Sequence, residues 1–462
     1  MIDWLQHTTG GLLTLAAVSI AVLLFLIIKV KLEPFIALIV VGLLTALAAG
    51  LPVGQIVGSA QKASDSLLEK GFGGILGHIA AIIGLGTILG SILERSGGAR
   101  VLTGALLRAI GEKRAPLAMG LAGFVFGIPV FFDIGIFVLA PLVYVAAKQG
   151  GRSLVLYALP LLAGLSITHA FLPPHPGPVA AAGLLHVELG WIILMGLVCG
   201  IPAFLVGGVA YSTWIGKRVD VEVPAEFLVA EEEGEKETNP PSLGLVLAII
   251  AVPLVLILAG TFGSIWLPKN SASAGVAAFI GTPAVALTIS VLLASWLLGL
   301  RRGLTGKDLS ELSAKSLRPV AMILLVVGAG AFFGAVLSAT GIGKAVAGSL
   351  DNAGLPVILA AYVISCGMRI AQGSATVAIV TTSGIVAPTV ATLGYSQMQL
   401  ALLVVAISAG SIIASHVNDG GFWIISRYFN MTVPQTLKTW TVLETVLSVS
   451  GFGVAALLMA VV

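Results

Sequence analysis

The sequence predicts an all-α polytopic membrane protein, with two inverted-topology repeats, about ten transmembrane helices and two re-entrant hairpins. Three observations predict it. Of 462 residues, 58% are hydrophobic and only 10% charged, with a mean hydropathy of +1.08. A soluble domain carries about 25% charged residues to cover its surface, so soluble enzymes, nucleic-acid binders and disordered chains are excluded together. Apolar runs of bilayer-spanning length recur along the whole chain. The two halves also resemble each other in sequence.

The spans come first, since a crossing helix needs about 20 apolar residues. They fall at 11–28, 34–51, 75–93, 153–170, 190–214, 243–262, 275–299, 319–338, 398–415 and 437–460. The stretches 116–147 and 356–392 are too long for one span and are interrupted near the middle by Gly, Pro and polar residues. They read as re-entrant hairpins or as pairs of full helices. With both re-entrant and the N-terminus outside, 19 Lys and Arg fall on the cytoplasmic side against four outside, with Arg369 inside the second stretch. That is the positive-inside asymmetry, and it puts both termini on the periplasmic face. The first apolar segment lacks a charged n-region and a cleavage site, so it reads as an uncleaved span.

Eight of the 21 acidic residues lie between Asp220 and Glu237. This stretch marks a cytoplasmic linker, 215–242, between a first repeat, 1–214, and a second, 243–462. The repeat is visible where the run from Ala81 aligns with the run from Leu325. Gly84, Gly86, Gly90 and Gly97 then meet Gly328, Gly330, Gly334 and Gly341, and further on Thr168-His169 meets Ser415-His416. An odd number of spans separates the copies, so their topology is inverted. Inverted repeats with broken helices at the midplane mark secondary transporters.

Four interruptions carry the polar chemistry: GIPVFFDIGIFVLAP with Asp133, THAFLPPHPGP with Thr168 and His169, MRIAQGSATVA with Arg369, Gln372, Ser374 and Thr376, and SHVNDGGFW with Ser415, His416, Asn418 and Asp419. Non-helical backbone at membrane depth is tolerated only inside protein or beside water. Asp133 reads either as a helix cap or as a proton or substrate group. Arg369 reads as a snorkelling cation or, beside hydroxyls and an amide, as a bidentate carboxylate ligand. His169 and His416 cap, pack or titrate. His169, His175 and His186 show no HExxH pattern, and no GxSxG or Walker motif is present. Neither an enzyme nor a metal or cofactor site is expected. A channel would need polar stripes at helical spacing, whereas the polar residues concentrate in the four breaks. Cys199 and Cys366 both lie in apolar runs and give no disulfide framework.

These four segments closely resemble the signature stretches of the gluconate permease family, the gluconate:proton symporters, and the resemblance runs essentially end to end. It implies a secondary carrier of the ion-transporter superfamily in a bacterial cytoplasmic membrane. Such a carrier is a homodimer working by elevator-like movement. Its substrates are sugar acids such as gluconate, with related branches carrying other small hydroxylated carboxylates, including D-serine. A sodium-coupled carrier of the same fold remains the alternative. On this reading the substrate carboxylate docks at Arg369, Gln372 and Ser374. Thr168, His169, Ser415, His416 and Asn418 contact the rest of the substrate, with Asp133 or Asp419 as the proton-coupling residue. The expected partners are the substrate, protons and lipid.

Overall fold

The same order of elements runs through each half of the chain. In this computed structural model each half carries a long helix, a two-armed hairpin, a helix broken by an extended segment, and a last helix with a π-helical stretch. The structure describes residues 2–58, 66–111, 114–223, 240–268, 271–318, 320–343, 345–346, 349, 356–416 and 419–462. Most of the acidic linker lies outside them, as do Asn418 and the Gln372 side chain. Among the described residues the regular structure is helical throughout, and nine helices are long and apolar enough to cross a membrane.

In the first half the long helix is Leu67–Arg95, the hairpin pairs Ala115–Phe126 with Phe132–Gly150, and the broken helix is Leu154–Phe171 followed by Pro176–Leu185. The last helix, Leu189–Gly216, holds its π stretch at Phe204–Tyr211. The second half repeats this with Val320–Ala339, the arms Val357–Gln372 and Ala375–Val390, the broken helix Gln397–Ile412 and Gly420–Tyr428, and Val433–Met459 with a π stretch at Leu437–Thr441.

Local chemistry sets most of these boundaries. Ser66, Ser242, Ser271 and Ser374 accept a first-turn amide at their helix starts. Thr305, Ser396 and Thr432 form capping boxes with Asp308, Gln399 and Gln435. The exposed Asp308 carboxyl is held below its ordinary value by the Thr305 hydroxyl and amide. Proline opens Pro34–Ala48, Ala115–Phe126 and Pro176–Leu185, where its missing N–H costs nothing. The same device corrects one expectation. The run 275–299 is two helices, Ala272–Gly281 and one starting at Pro283, because proline opens a new helix there.

The halves do not fold apart. Val320–Ala339 packs along Leu67–Arg95, and Pro176–Leu185 packs on the second hairpin arm Ala375–Val390. The N-terminal helices Thr9–Ile28 and Pro34–Ala48 share an apolar core with Val320–Ala339 through Leu23, Leu38, Val41 and Phe333. The matched glycines mark close approaches. A Cβ on Gly90 would sit 2.2 Å from the Pro129 carbonyl oxygen in the first hairpin's turn, and one on Gly334 would sit 2.8 Å from that of Gly384 in the second hairpin. Each long helix therefore holds its own hairpin through a residue without a side chain. The basic helix Gly98–Ile110 packs against the first hairpin arm and buries Ala99, Leu102 and Thr103 there.

Candidate functional site

Both hairpin turns open into one cavity of about 630 Å³. Phe131, Phe132, Asp133 and Ile134 come from the first turn, and Gly373, Ser374, Ala375 and Thr376 from the second. Two full transmembrane pairs would leave these turns at opposite membrane faces; converging turns fit re-entrant hairpins. The broken helices add Ser166, His169, Ile412, Asp419, Gly420, Gly421 and Ile424, and the last helix adds Trp440 and Glu444. The opposite wall is Thr87, Ser91 and Glu94, one face of the long helix at helical spacing. Leu312, Lys315 and Ser316 of helix Gly306–Leu317 and Ile323 complete it. Lys315 is exposed, so the cavity reaches the surface there.

At its polar centre the Arg369 side chain is 5% exposed. It donates to the Gly373 carbonyl and to the Asp419 carboxylate, while its Nε has no partner. Arg369 stands in the last turn of Val357–Gln372, and Asp419 caps the start of Gly420–Tyr428, accepting from the Gly421 amide at 2.9 Å. Each charge thus sits at the helix end whose dipole favours it. The Ser415 hydroxyl also donates to Asp419 and accepts from Trp440 Nε1 at 2.7 Å. Three helix N-termini face the cavity, at Phe132, Ala375 and Gly420, and the first has no side-chain cap. Converging N-termini supply positive potential for an anion.

An aromatic shelf lines the other side. Phe132 stacks on Trp440 with ring centroids 5.7 Å apart. The His169 ring lies 4.8 Å from that of His175, which donates from Nε2 to the Gly127 carbonyl at 2.7 Å. That bond ties the first broken helix to the first hairpin's turn. His169 Nδ1 is buried without a partner on the cavity wall.

The structure therefore gathers Arg369, Ser374, His169, Asp133 and Asp419 around one cavity. Asp133 is the second residue of its helix and faces cavity solvent, and the cap position belongs to Phe131. Thr168, Ser415 and His416 are not on the wall. The Thr168 hydroxyl is fully buried and donates to the Gly164 and Leu165 carbonyls of its own helix, at 3.0 and 3.1 Å. Ser415 is spent on Asp419 and Trp440, and half-buried His416 lies off the cavity.

Sequence reasoning passed over Glu444, Glu94 and the Thr87–Ser91 stripe. Glu444 is a lone carboxyl in the apolar run 437–460, and intramembrane acids are functional candidates by default; that signal was sufficient to find it. Its side chain is 2% exposed, and its Oε1 has no partner.

Comparison with known proteins decides the lineage. The family model of the GntP family permeases matches residues 11–462. The chain belongs to this family. Members of the GntP permease family are membrane transporters, and this chain is a multi-pass membrane protein of that kind. It is 42% identical to the inner membrane permease YgbN of Escherichia coli, over 98% of this chain and 100% of that protein. The gluconate permease of Pseudomonas aeruginosa is 41% identical over 94% of this chain and 95% of its own. The low-affinity gluconate transporter of Escherichia coli is 36% identical over 96% and 97%. Among solved structures, the Alcanivorax borkumensis YdaH transporter, described as having an unusual topology, matches with a TM-score of 0.63 at 16% identity. That match covers 93% of this chain and 98% of YdaH, and it shows a shared transporter fold.

Proposed function

We propose that this GntP permease imports gluconate or a closely related sugar acid across the bacterial inner membrane by proton symport. The observation that carries the reading is the single cavity where Arg369, the capped hairpin turn at Ser374 and three helix N-termini converge. A carboxylate suits the Arg369 guanidinium, which lines the cavity and whose buried Nε makes no hydrogen bond. Polyol hydroxyls suit the donor–acceptor set of Ser374, Thr376, His169 and Asp133, and Gln372 and Asn418 are proposed as further contacts. Relatives of this family are named gluconate permeases and transporters, which supports the substrate class.

The charge balance favours a coupling cation. Arg369 is already matched by Asp419, and Lys315 and Glu94 balance in number at the mouth, which leaves Asp133 and Glu444 in the same cavity. An incoming anion therefore meets surplus carboxylates in a low-dielectric site unless a positive charge enters with it. By the lysine and arginine distribution, the mouth at Glu94, Lys315 and Ser316 faces the cytoplasm, so this conformation is inward-open. The cavity lies between the hairpins and broken helices on one side and Leu67–Arg95 with helix Gly306–Leu317 on the other. An elevator-type slide of the first group past the second would carry the site across the bilayer.

The deciding experiment is uptake of labelled gluconate into proteoliposomes under an inward proton gradient without sodium. Accumulation that a protonophore collapses is the expected result. No uptake by folded protein, or uptake that requires sodium, overturns the reading.

A further inference from the structure

We infer that Glu444 is the proton-exchange site of the carrier, coupled directly to the substrate anion at Arg369; this rests on the proton-symport reading above. Four carboxyls line the cavity; Glu94 stands at its mouth on the long helix, and the bonding of the other three separates them. Asp419 holds the Arg369 guanidinium, the Ser415 hydroxyl and the Gly421 amide, so taking up a proton there disturbs three bonds. Asp133 is the exposed member of the three, so its protonation is tied less tightly to a bound anion. Glu444 is buried, and its Oε1 has no partner, so a proton can join or leave that oxygen while the carboxyl keeps its hydrogen bond with Ser166.

Its surroundings link that proton to the substrate. Arg369 and Asp419 act on the Glu444 carboxyl electrostatically, and the Ser166 hydroxyl donates a hydrogen bond to it. From the first broken helix His169 shares the same cavity wall, and from the first hairpin so does Asp133. Helices Leu189–Gly216 and Gln397–Ile412, packed on the other sides, contain no charged residue. An anion docking at Arg369 adds negative charge beside a poorly screened carboxyl and so draws a proton onto Glu444. By linkage, a proton on Glu444 strengthens anion binding by the same factor. The π stretch Leu437–Thr441 ends three residues before Glu444, and Trp440 and Glu444 share one helical face on the cavity. Glu444 lines the cavity that reaches the surface at Lys315, which gives the proton its route.

The test measures proton uptake on gluconate binding to purified protein, by calorimetry in buffers of different ionisation heat. Wild type is expected to take up a proton with each gluconate and to bind more tightly as pH falls. Glu444→Gln is expected to bind gluconate with no proton uptake, a flat pH dependence and intact gluconate exchange. In proteoliposomes its accumulation ratio should fall to one. Proton uptake by Glu444→Gln equal to wild type overturns the assignment and leaves proton symport standing. A wild type that takes up no proton and ignores a proton gradient overturns the symport reading, and the assignment with it. If Glu444→Gln does not bind, carbodiimide labelling of wild type decides. Gluconate-sensitive modification at Glu444 supports the assignment, and modification of other cavity carboxyls without Glu444 overturns it.

Discussion

Replacing Arg369 by alanine separates what the guanidinium does for the fold from what it does for the substrate. In the folded protein it donates to Asp419 and to the Gly373 carbonyl, with Nε left over. Arg369→Ala strands Asp419 as a buried carboxylate with two donors, Ser415 and Gly421, where there were three. Breaking a buried pair from one side costs about 3–5 kcal/mol, so the variant should unfold at a clearly lower temperature. Arg369→Ala with Asp419→Asn removes both charges and should recover most of that loss. Gluconate affinity should not recover. One charge-assisted hydrogen bond to a carboxylate is worth about 1.5–3 kcal/mol, which is roughly tenfold to 150-fold in Kd. Calorimetric titration of gluconate into the thermally stable double variant makes the measurement. A Kd within twofold of wild type would remove Arg369 from the substrate site and leave it as the structural partner of Asp419.

Further outcomes follow from the same contacts. Gly90→Ala should destabilise the protein by about 1–3 kcal/mol, because its Cβ would lie 2.2 Å from the Pro129 oxygen; Gly334→Ala, at 2.8 Å, should cost less. Thermal unfolding checks both, and wild-type stability in Gly90→Ala would contradict the close packing, since alanine otherwise favours a helix. Thr168→Val should keep gluconate affinity within about twofold because the hydroxyl only serves its own helix. A large loss would return Thr168 to the site. Trp440→Phe keeps a ring against Phe132 but loses the 2.7 Å bond to Ser415. It should weaken gluconate binding by about fivefold, the equivalent of ~1 kcal/mol for one hydrogen bond, with unchanged affinity as the contrary result.

Much of this protein was decided along the chain. Bilayer residence follows from composition and from runs of about 20 apolar residues, both local properties that no packing can reverse. The first break was equally legible, because the clustered Pro173, Pro174 and Pro176 cannot continue one regular helix, whereas single prolines such as Pro160 stay inside theirs. The matched glycines showed the repeat because they recur for the same reasons: Gly90 and Gly334 each let a long helix approach its hairpin, and Gly97 and Gly341 each take a left-handed backbone. The same reasoning could not tell a glycine-linked pair of short helices from one span at 275–299, where Pro283 opens a second helix.

Only the tertiary structure decided which polar residues meet. Thr168 and His169 are adjacent in sequence, yet one hydroxyl bonds back into its helix and the other ring lines the cavity. Their directions differ by about 100° around the helix, and only packing says which faces inward. The pairing of Arg369 with Asp419 spans 50 residues and depends on two helix ends meeting. Glu444 was visible as an acid in an apolar run. Its place beside Arg369 required the last helix to dock between the broken helices, and long-range packing of that kind leaves no periodic trace in the sequence.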